Sequence, residues 1–324
     1  GGSRCLWSHN PRFGPGVGEE EGNSQIFSLA SVRKSLIRQE ETIIFALIER
    51  AQFVQNQRIY ERGAQAWSSE EVDPWICDKQ GSFLNFMLLE TEKLHARARR
   101  YMSPEEHPFF PQVLDIDPVL APLDYPPVVI SQDININDEI MSLYIDKVVP
   151  SICDPGDDQQ YGSSALCDIA CLQALSRRIH IGKFVAESKF QHEPELFTKL
   201  VEARDIEGIN RLLTNELVEE RVCHRARLKA VTFGQDAFSD TDVGFKVAPH
   251  KLFELYRDMI IPLTKQVQVR YLFDRVGNVR PPEPSEWPSS LRGFASGSPA
   301  GAVGDSAESD LAQQSSSGGS SPWI

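Results

Sequence analysis

Apolar residues recur at steps of three and four positions along most of the chain, which is the period of an amphipathic helix. The pattern predicts helices over residues 27–50 and 82–101, the second with a basic last turn suited to the negative end of a helix dipole. Alternating apolar and polar runs, which would predict strands, are nearly absent. We therefore predict an all-α, multi-helix fold, with further helices over residues 137–149, 163–190, 194–203, 205–215, 217–232 and 250–273.

Three parts of the chain depart from this helical pattern. Prolines punctuate residues 104–127 and prevent a long helix there, because they remove backbone donors and bias the preceding residue to extended shapes. The opening residues are rich in glycine, lack an initiator Met and are expected to be a trimmed, disordered segment. After Gly277 the composition turns to Pro, Gly and Ser, which predicts disorder. The expected organisation is a disordered segment 1–26, one helical domain 27–276, and a disordered tail 277–324.

Charge and cysteine content narrow the possible partners. With 46 acidic and 33 basic residues the net charge is −13, which argues against nucleic acid as a partner. A small anion stays possible, because it needs only two or three local cations. No apolar run approaches the roughly 20 residues of a membrane-spanning helix, so no membrane partner is expected. The six cysteines are scattered and are expected to be reduced packing thiols.

The predicted helix over residues 163–190 carries two cations on one face. Arg178 and Lys189 are eleven residues apart, and Gly182 between them leaves room for a ligand. This arrangement suggests a pocket for an anion, but the residues alone favour the alternative that both cations pair with buried carboxylates. At 100° per residue the stripe consists of Cys171, Ala174, Arg178, Gly182, Val185 and Lys189.

Two further polar pairs lie one helical turn apart, Asn215 with Glu219 and Thr264 with Gln268. By themselves they have ordinary explanations: Asn215 caps the helix that follows it, and the second pair lies on a solvated face. Motifs for phosphate loops, zinc proteases, nucleophile elbows and Cys-x-x-Cys sites are absent from the sequence, and its histidines are isolated. Metal, dinucleotide and nucleophilic-triad chemistries are therefore poorly supported.

Four separated stretches, in the same order, resemble the eukaryotic chorismate mutases of plants and fungi. They are VRKSLIRQEETIIFALIERAQF (32–53), SPEEHPFFP (103–111), SRRIHIGKFVAESKF (176–190) and IIPLTKQVQVRYL (260–272). The resemblance covers nearly all of the predicted helical domain, from about residue 27 to 273. It implies an all-helical homodimer that converts chorismate to prephenate by an intramolecular Claisen rearrangement, without cofactor or metal.

The resemblance also implies which residues act. The reaction needs a rigid pocket for a folded dicarboxylate and donors aimed at the ether oxygen, where negative charge develops. Gln268 stands where fungal members have Glu, and an amide donates its hydrogen bond at any pH near neutrality. The implied roles are Arg33 and Arg178 on the substrate carboxylates with Thr264 as a further donor, Lys189 and Gln268 at the ether oxygen, and Asn215 with Glu219 at the ring hydroxyl.

Members of this family are often activated by tryptophan and inhibited by tyrosine at a site between subunits. The residues that match the effector pattern are Arg99, Arg100, Gly162 and Ser163, although a basic helix end and a helix-initiating turn would explain them equally. Leu166 replaces a fungal Thr, which weakens the expectation of regulation. The family exists in plastid and cytosolic forms, and we expect the plastid stroma, with the cytosol as the alternative.

The resemblance ends late in the chain, where LFDRV (272–276) replaces the usual basic helix end and Arg270 stands where an acid is common. Two rival interpretations remain. One is a catalytically inactive homologue that acts as a binding partner, and the other is an unrelated helical scaffold.

Overall fold

A computed structural model of the chain describes residues 29–62, 81–122, 129–130, 134–235, 244–277, 279–288 and 291. Within these ranges the chain is helical, and the one β-pairing is an isolated bridge between Gln235 and Phe245. The predicted all-α fold is confirmed for the described part of the chain. Residues 1–26 and residues 292–324 of the tail lie outside the described residues.

Ten α-helices of seven residues or more form the described domain, and several of them are shorter than the sequence pattern predicts. Two of them continue through single π-helical turns: α3 through Tyr144–Val148 into a short turn at Val149–Ile152, and α9 through Tyr256–Ile260 into α10. The helices are α1 (Leu29–Arg50), α2 (Phe83–Arg97), α3 (Asn137–Leu143), α4 (Tyr161–His180), α5 (Gly182–His192), α6 (Pro194–Glu202), α7 (Ile206–Leu213), α8 (Glu216–Phe233), α9 (Pro249–Leu255) and α10 (Ile261–Val276).

The last helix, α10, is the centre of the domain. Residues 262–269 of this helix are all buried, and so are Tyr271, Leu272 and Phe273. Helix α10 packs most closely against α5 and also contacts α4, α6 and α7. A helix that is covered on every side can carry polar residues only where they face a cavity or a bonded partner. Each buried polar residue of α10 is therefore expected to face a cavity or to contact a hydrogen-bond partner.

A buried ionic network joins the last residue of α1 to α4. The Arg50 guanidinium lies 2.6 Å from an Asp168 carboxylate oxygen, and both side chains are fully buried. Tyr60 and Tyr144 donate to the same carboxylate at 2.8 and 2.7 Å, and Arg50 also donates to the carbonyl of Val54 at 3.0 Å. Every partner is satisfied, so this network holds the turn after α1 against α4.

Two predicted helices have different bounds in the structure. Helix α2 ends at Arg97 rather than residue 101, because the chain turns into the left-handed region at Arg99 (φ 57°). The predicted helix 163–190 is two helices, α4 and α5, separated at Ile181. There Phe184 N donates to Ile181 O, an i→i+3 bond that tightens the turn between the two helices.

The predicted boundary of the domain at Gly277 needs correction. Gly277 does end α10 in the left-handed conformation that glycine favours (φ 81°). However, the chain then returns to the domain: Trp287 is 2% exposed and Leu291 is fully buried. Composition alone predicted disorder here, and it missed the two large apolar side chains that bury enough surface to order residues 279–288 and 291.

Candidate active site

A cavity of about 390 Å³ lies between helices α1, α4, α5, α8 and α10. Its volume is within the range of small-molecule sites. Six of the seven predicted site residues line it: Arg178, Lys189, Asn215, Glu219, Thr264 and Gln268. The seventh, Arg33, lies on α1, and its side chain is outside the described part of the structure. Residues from four separate helices therefore meet at one cavity.

Arg178 is a buried cation at the wall of this cavity. Its residue is 5% exposed, and no carboxylate of the described residues lies within ion-pair distance. Nη1 reaches Thr264 Oγ1 at 3.5 Å, and Nε is buried without a hydrogen-bond partner. Burial lowers the pKa of the guanidinium, with the more distant Tyr256 and Glu40 acting against that effect. Among the described residues, the expected buried acid that would pair with Arg178 is not found, so a cation at the cavity wall is available to an anionic ligand.

Lys189 approaches the cavity from α5 and is anchored at the end of α7. Its Nζ donates to the carbonyl oxygens of Leu213 at 2.6 Å and Leu212 at 3.3 Å. A cation at a helix C-terminus is stabilised by the negative end of the dipole. These two backbone carbonyls hold the ammonium at the cavity wall.

The two α10 residues do not lie on a solvated face, contrary to the simple interpretation of their spacing. Thr264 is 8% and Gln268 6% exposed. The Thr264 hydroxyl donates to the Ile260 carbonyl at 2.6 Å, in the π-helical turn before α10. Gln268 Oε1 is buried without a partner. Both polar side chains therefore lie in the interior at the cavity wall, where they can contact a ligand.

Gly182 brings α5 close to α10 at the same place. A Cβ at this position would lie 2.7 Å from the Thr264 carbonyl oxygen and 3.4 Å from Gln268 Cγ. Only glycine permits this approach, because real Cβ atoms do not come so near to backbone. Gly182 therefore provides close helix contact rather than the open space that its spacing suggested.

The opposite wall is formed by α8. Asn215 Oδ1 accepts a hydrogen bond from Val218 N at 3.2 Å, so the predicted helix cap is confirmed, and the same residue lines the cavity. Glu219, one turn later, is 2.9 Å from the Lys265 ammonium. Lys265 also donates to Thr214 Oγ1 at 2.9 Å.

Four further charged residues line this cavity that the sequence did not identify, Glu40, Arg221, Arg225 and Lys265. Lys265 directly follows Thr264 in the stretch IIPLTKQVQVRYL, but helical spacing alone gave no reason to place it at the site. Glu40 and Arg225 form a bidentate pair at 2.6 and 2.8 Å, and Glu40 is fully buried. They are 185 residues apart, and no periodicity could have connected them.

The neighbouring cations of the motif have other roles. Arg177 points away from the cavity towards Glu105 and Glu106, at 3.4 and 3.5 Å. Lys183 is fully buried, and its Nζ lies 2.6 Å from His107 Nε2. The selection of Arg178 over Arg177 and of Lys189 over Lys183 for the cavity is consistent with these positions.

The buried histidines are neutral. Burial lowers the pKa of His107 to about 2 and that of His180 to about 3, with nearby Lys183 acting in the same direction. His180 bridges Ser176 O and Ile136 N, at 2.8 and 3.1 Å, as a packing residue does. Among the described residues, no group of three or more His, Cys, Asp or Glu side chains is placed to hold a metal ion.

The four residues matching the effector pattern lie outside this cavity, in two places. Arg100 donates to Glu106 at 3.0 Å and to Gln173 of α4 at 3.0 Å, while Arg99 donates to the Leu120 carbonyl. Gly162 and Ser163 are exposed in the first turn of α4. Ten residues of helix separate Ser163 from Gln173, about 15 Å at 1.5 Å per residue, so one chain does not bring the two pairs together.

Comparisons with family models and with known proteins all point to one family. Residues 160–269 match the family model described as chorismate mutase type II. A chorismate mutase of Emericella nidulans is 44% identical over 78% of this chain and 94% of its own length. The chloroplastic chorismate mutase 3 of Arabidopsis thaliana is 45% identical over 78% of this chain and 79% of its own.

Two solved structures are similar throughout the helical domain. The chorismate mutase of Candida albicans in complex with L-Trp has 40% identity and a TM-score of 0.71, covering 82% of this chain and 95% of that one. The structure of AtCM1 with tyrosine bound in its allosteric site has 42% identity and a TM-score of 0.68, covering 79% of this chain and 99% of that one. Among the described residues, no helix is long and apolar enough to cross a membrane.

Proposed function

This chain belongs to the chorismate mutase family, and on that premise we propose that its cavity rearranges chorismate to prephenate. The observation that carries the proposal is the buried Arg178, which has no carboxylate partner in the part of the chain that the structure describes and lines a cavity with Lys189 and Gln268. In the reaction one C–O ether bond breaks while one C–C bond forms within the same molecule. No group leaves, so the protein's task is to position the substrate and stabilise charge.

Positioning comes from the cations and hydroxyls of the cavity. The planar fork of Arg178 suits a carboxylate, and Thr264 next to it can rotate its hydroxyl from the Ile260 carbonyl to the same ligand. By resemblance, Arg33 grips the second carboxylate from α1. Holding both carboxylates folds the substrate towards the geometry in which the new C–C bond forms.

Stabilisation of the transition state falls to donors at the ether oxygen. Lys189 is held by the end of α7, and Gln268 by the close contact of α5 with α10 at Gly182. A donor that is fixed before the reaction needs no reorganisation when charge develops on the oxygen. Asn215 and Glu219 complete the site at the ring hydroxyl, and the Lys265 ammonium holds the Glu219 carboxylate in place.

A direct assay tests this proposal. Wild-type protein should accelerate the loss of chorismate absorbance, and the same concentration of folded Arg178→Met protein should do so at least about 10²-fold more slowly. Folded wild-type protein that leaves chorismate to its uncatalysed rate would instead favour an inactive binding homologue.

We also propose that aromatic amino acids regulate the enzyme, as in the two similar structures that bind L-Trp and tyrosine. The effector site would combine Arg99 and Arg100 with Gly162 and Ser163 of a second copy, since Ser163 lies about 15 Å along α4 from Gln173, the residue that Arg100 contacts. Calorimetry with tryptophan and tyrosine tests binding, and the chorismate assay tests activation and inhibition.

Gly162→Ala is the informative variant for that site. A Cβ at this position would meet no atom within 4 Å, so the free protein should fold normally. If an effector approaches the backbone there, the variant loses effector binding and keeps basal activity. Unchanged binding heat in Gly162→Ala would exclude close contact of the effector with this turn.

We also propose that the protein is a homodimer. Leu94, Val119 and Leu120 near Arg99, and Leu166 near Ser163 on α4, are each more than half exposed, and exposed apolar residues often mark an interface. Leu166→Asp should shift the protein towards monomer in sedimentation, whereas Leu228→Asp, an equally exposed position on α8, should not. Equal effects of the two variants would count against this face.

The compartment remains a proposal as well. Chloroplastic relatives in plants support the plastid stroma, while fungal relatives are about equally similar. Fractionation of source cells with an antibody against the protein would decide between plastid and cytosol.

A further inference from the structure

The face of α10 opposite the cavity is covered by residues 279–288 and 291, which we call the C-terminal strap. Trp287 is 2% exposed and Leu291 is fully buried, so the strap has a core of its own against the domain. It lies beyond residue 269, where the match to the family model ends. None of the seven site residues belongs to it.

Three contacts fasten the strap. Gln266 Nε2 donates to the Leu291 carbonyl at 2.7 Å in a buried bond. The Arg270 guanidinium lies 5.7 Å from the centre of the Trp287 ring, a cation–π contact. Arg204, after α6, donates to Glu286 at 2.9 Å and to the Arg280 carbonyl at 2.7 Å.

Two of these contacts are made by α10 itself, on the side away from the substrate cavity. At 100° per residue, Gln266 lies about 200° around the helix from Thr264. Arg270 lies at the same angle from Gln268. The strap therefore presses on the back of the segment whose front carries two of the site residues.

We propose that the C-terminal strap positions α10 for catalysis, with Trp287 as its principal positioning residue. The inference rests on the proposed function of the cavity. Trp287 does not touch substrate; it fills the space behind Gln266 and Arg270 and so fixes how far Thr264 and Gln268 project into the cavity. Without it, α10 can shift towards the vacated volume and carry both polar groups away from the ligand.

The expected effect is on the chemical step. A displacement of about 1 Å at the reacting atoms can cost about 10²-fold in rate. Arg178 and Lys189 stand on other helices and keep their hold on the substrate. Trp287→Ala should therefore lower kcat by roughly 10- to 100-fold and raise KM by less than that.

The test measures kcat and KM of full-length Trp287→Ala against two companions, at a temperature where all are folded. Trp287→Phe keeps an aromatic ring behind α10 and should recover most of the lost kcat. Ile59→Ala removes a fully buried side chain at the far end of the domain and controls for lost stability. It should lower the melting temperature but leave kcat unchanged.

Equal kcat in Trp287→Ala and wild type, or an equal loss in Ile59→Ala, would overturn the proposal. Should Trp287→Ala fail to fold, Gln266→Met carries the same test, because it removes the bond to Leu291 and leaves Trp287 in place. Unchanged kcat in Gln266→Met would then overturn it. Wild-type protein without mutase activity would refute the proposed function itself, and that result is seen before any variant is compared.

Discussion

Replacing Arg178 with Met should lower activity and raise stability at the same time. The guanidinium is buried at the cavity, has no carboxylate partner among the described residues, and makes one long contact of 3.5 Å to Thr264. In the free enzyme its desolvation is uncompensated, whereas in the complex a substrate carboxylate supplies the missing partner. The two effects of the substitution therefore have opposite signs.

The size of each effect follows from the burial. Loss of a buried donor to the reacting substrate costs about 2.7–4 kcal/mol, or roughly 10²- to 10³-fold in kcat/KM. Replacing an uncompensated buried charge with an apolar side chain of similar volume stabilises by about 1–4 kcal/mol. For a domain of this size each kcal/mol shifts the melting temperature by about 2–4 °C, so an increase of at least about 2 °C is expected.

Arg177→Met is the matched control one residue away. Arg177 pairs with Glu105 and Glu106, whose side chains are only 5% and 6% exposed, so this change should leave buried carboxylates without this partner, lower stability and leave kcat/KM unchanged. Chorismate absorbance gives the rates and thermal unfolding gives the stabilities. Equal losses of activity in the two variants, or a less stable Arg178→Met protein, would refute the argument.

Three further changes test other parts of the structure. Gln268→Glu should be active at low pH and lose activity as pH rises, because only the protonated acid can donate to the ether oxygen; full activity of this variant at pH 8 would contradict the role. Gly182→Ala places a Cβ 2.7 Å from Thr264 O and should reduce both kcat and the melting temperature, which a normal kcat would disprove. Asp168→Ala leaves the Arg50 guanidinium buried and unpaired and should destabilise by about 3–5 kcal/mol in denaturant unfolding, while folded protein retains its kcat.

Helical periodicity predicted most of the fold, because amphipathic faces are a local property of the sequence. Periodicity placed Arg178 and Lys189 on one face. Both line the cavity, although the helix is interrupted at Ile181 between them. Its errors are equally physical. Thr264 and Gln268 were given a solvated face because spacing reports which residues share a face, not what that face contacts.

Features that depend on distant partners could not be predicted. The Glu40–Arg225 pair joins residues 185 positions apart. Trp287 lies in a segment whose average composition predicts disorder. The burial of one large apolar side chain can order such a segment without changing its average composition much. Arg99 adopts the left-handed conformation although it is not glycine, so nothing in the sequence marked the turn there. The predicted helix 82–101 was therefore too long at its C-terminal end.

The unsatisfied polar atoms of the described domain are informative about what the fold is for. Arg178 and Gln268 line the cavity, and each has one buried atom without a hydrogen-bond partner, Nε and Oε1 respectively. The buried Tyr256 hydroxyl, whose pKa burial raises, is electrostatically coupled to Arg178. Each such group lowers stability by an amount that a hydrogen bond would restore.

Around Asp168, in contrast, the same chain satisfies its buried charge completely. We infer that the ligand supplies the partner of Arg178, the buried cation at the cavity that has no carboxylate partner among the described residues. Because the rearrangement uses no nucleophile or leaving group, we propose that this preorganised polarity is the catalytic apparatus. Stability measured with a bound dicarboxylate should therefore rise most in the wild type and least in Arg178→Met.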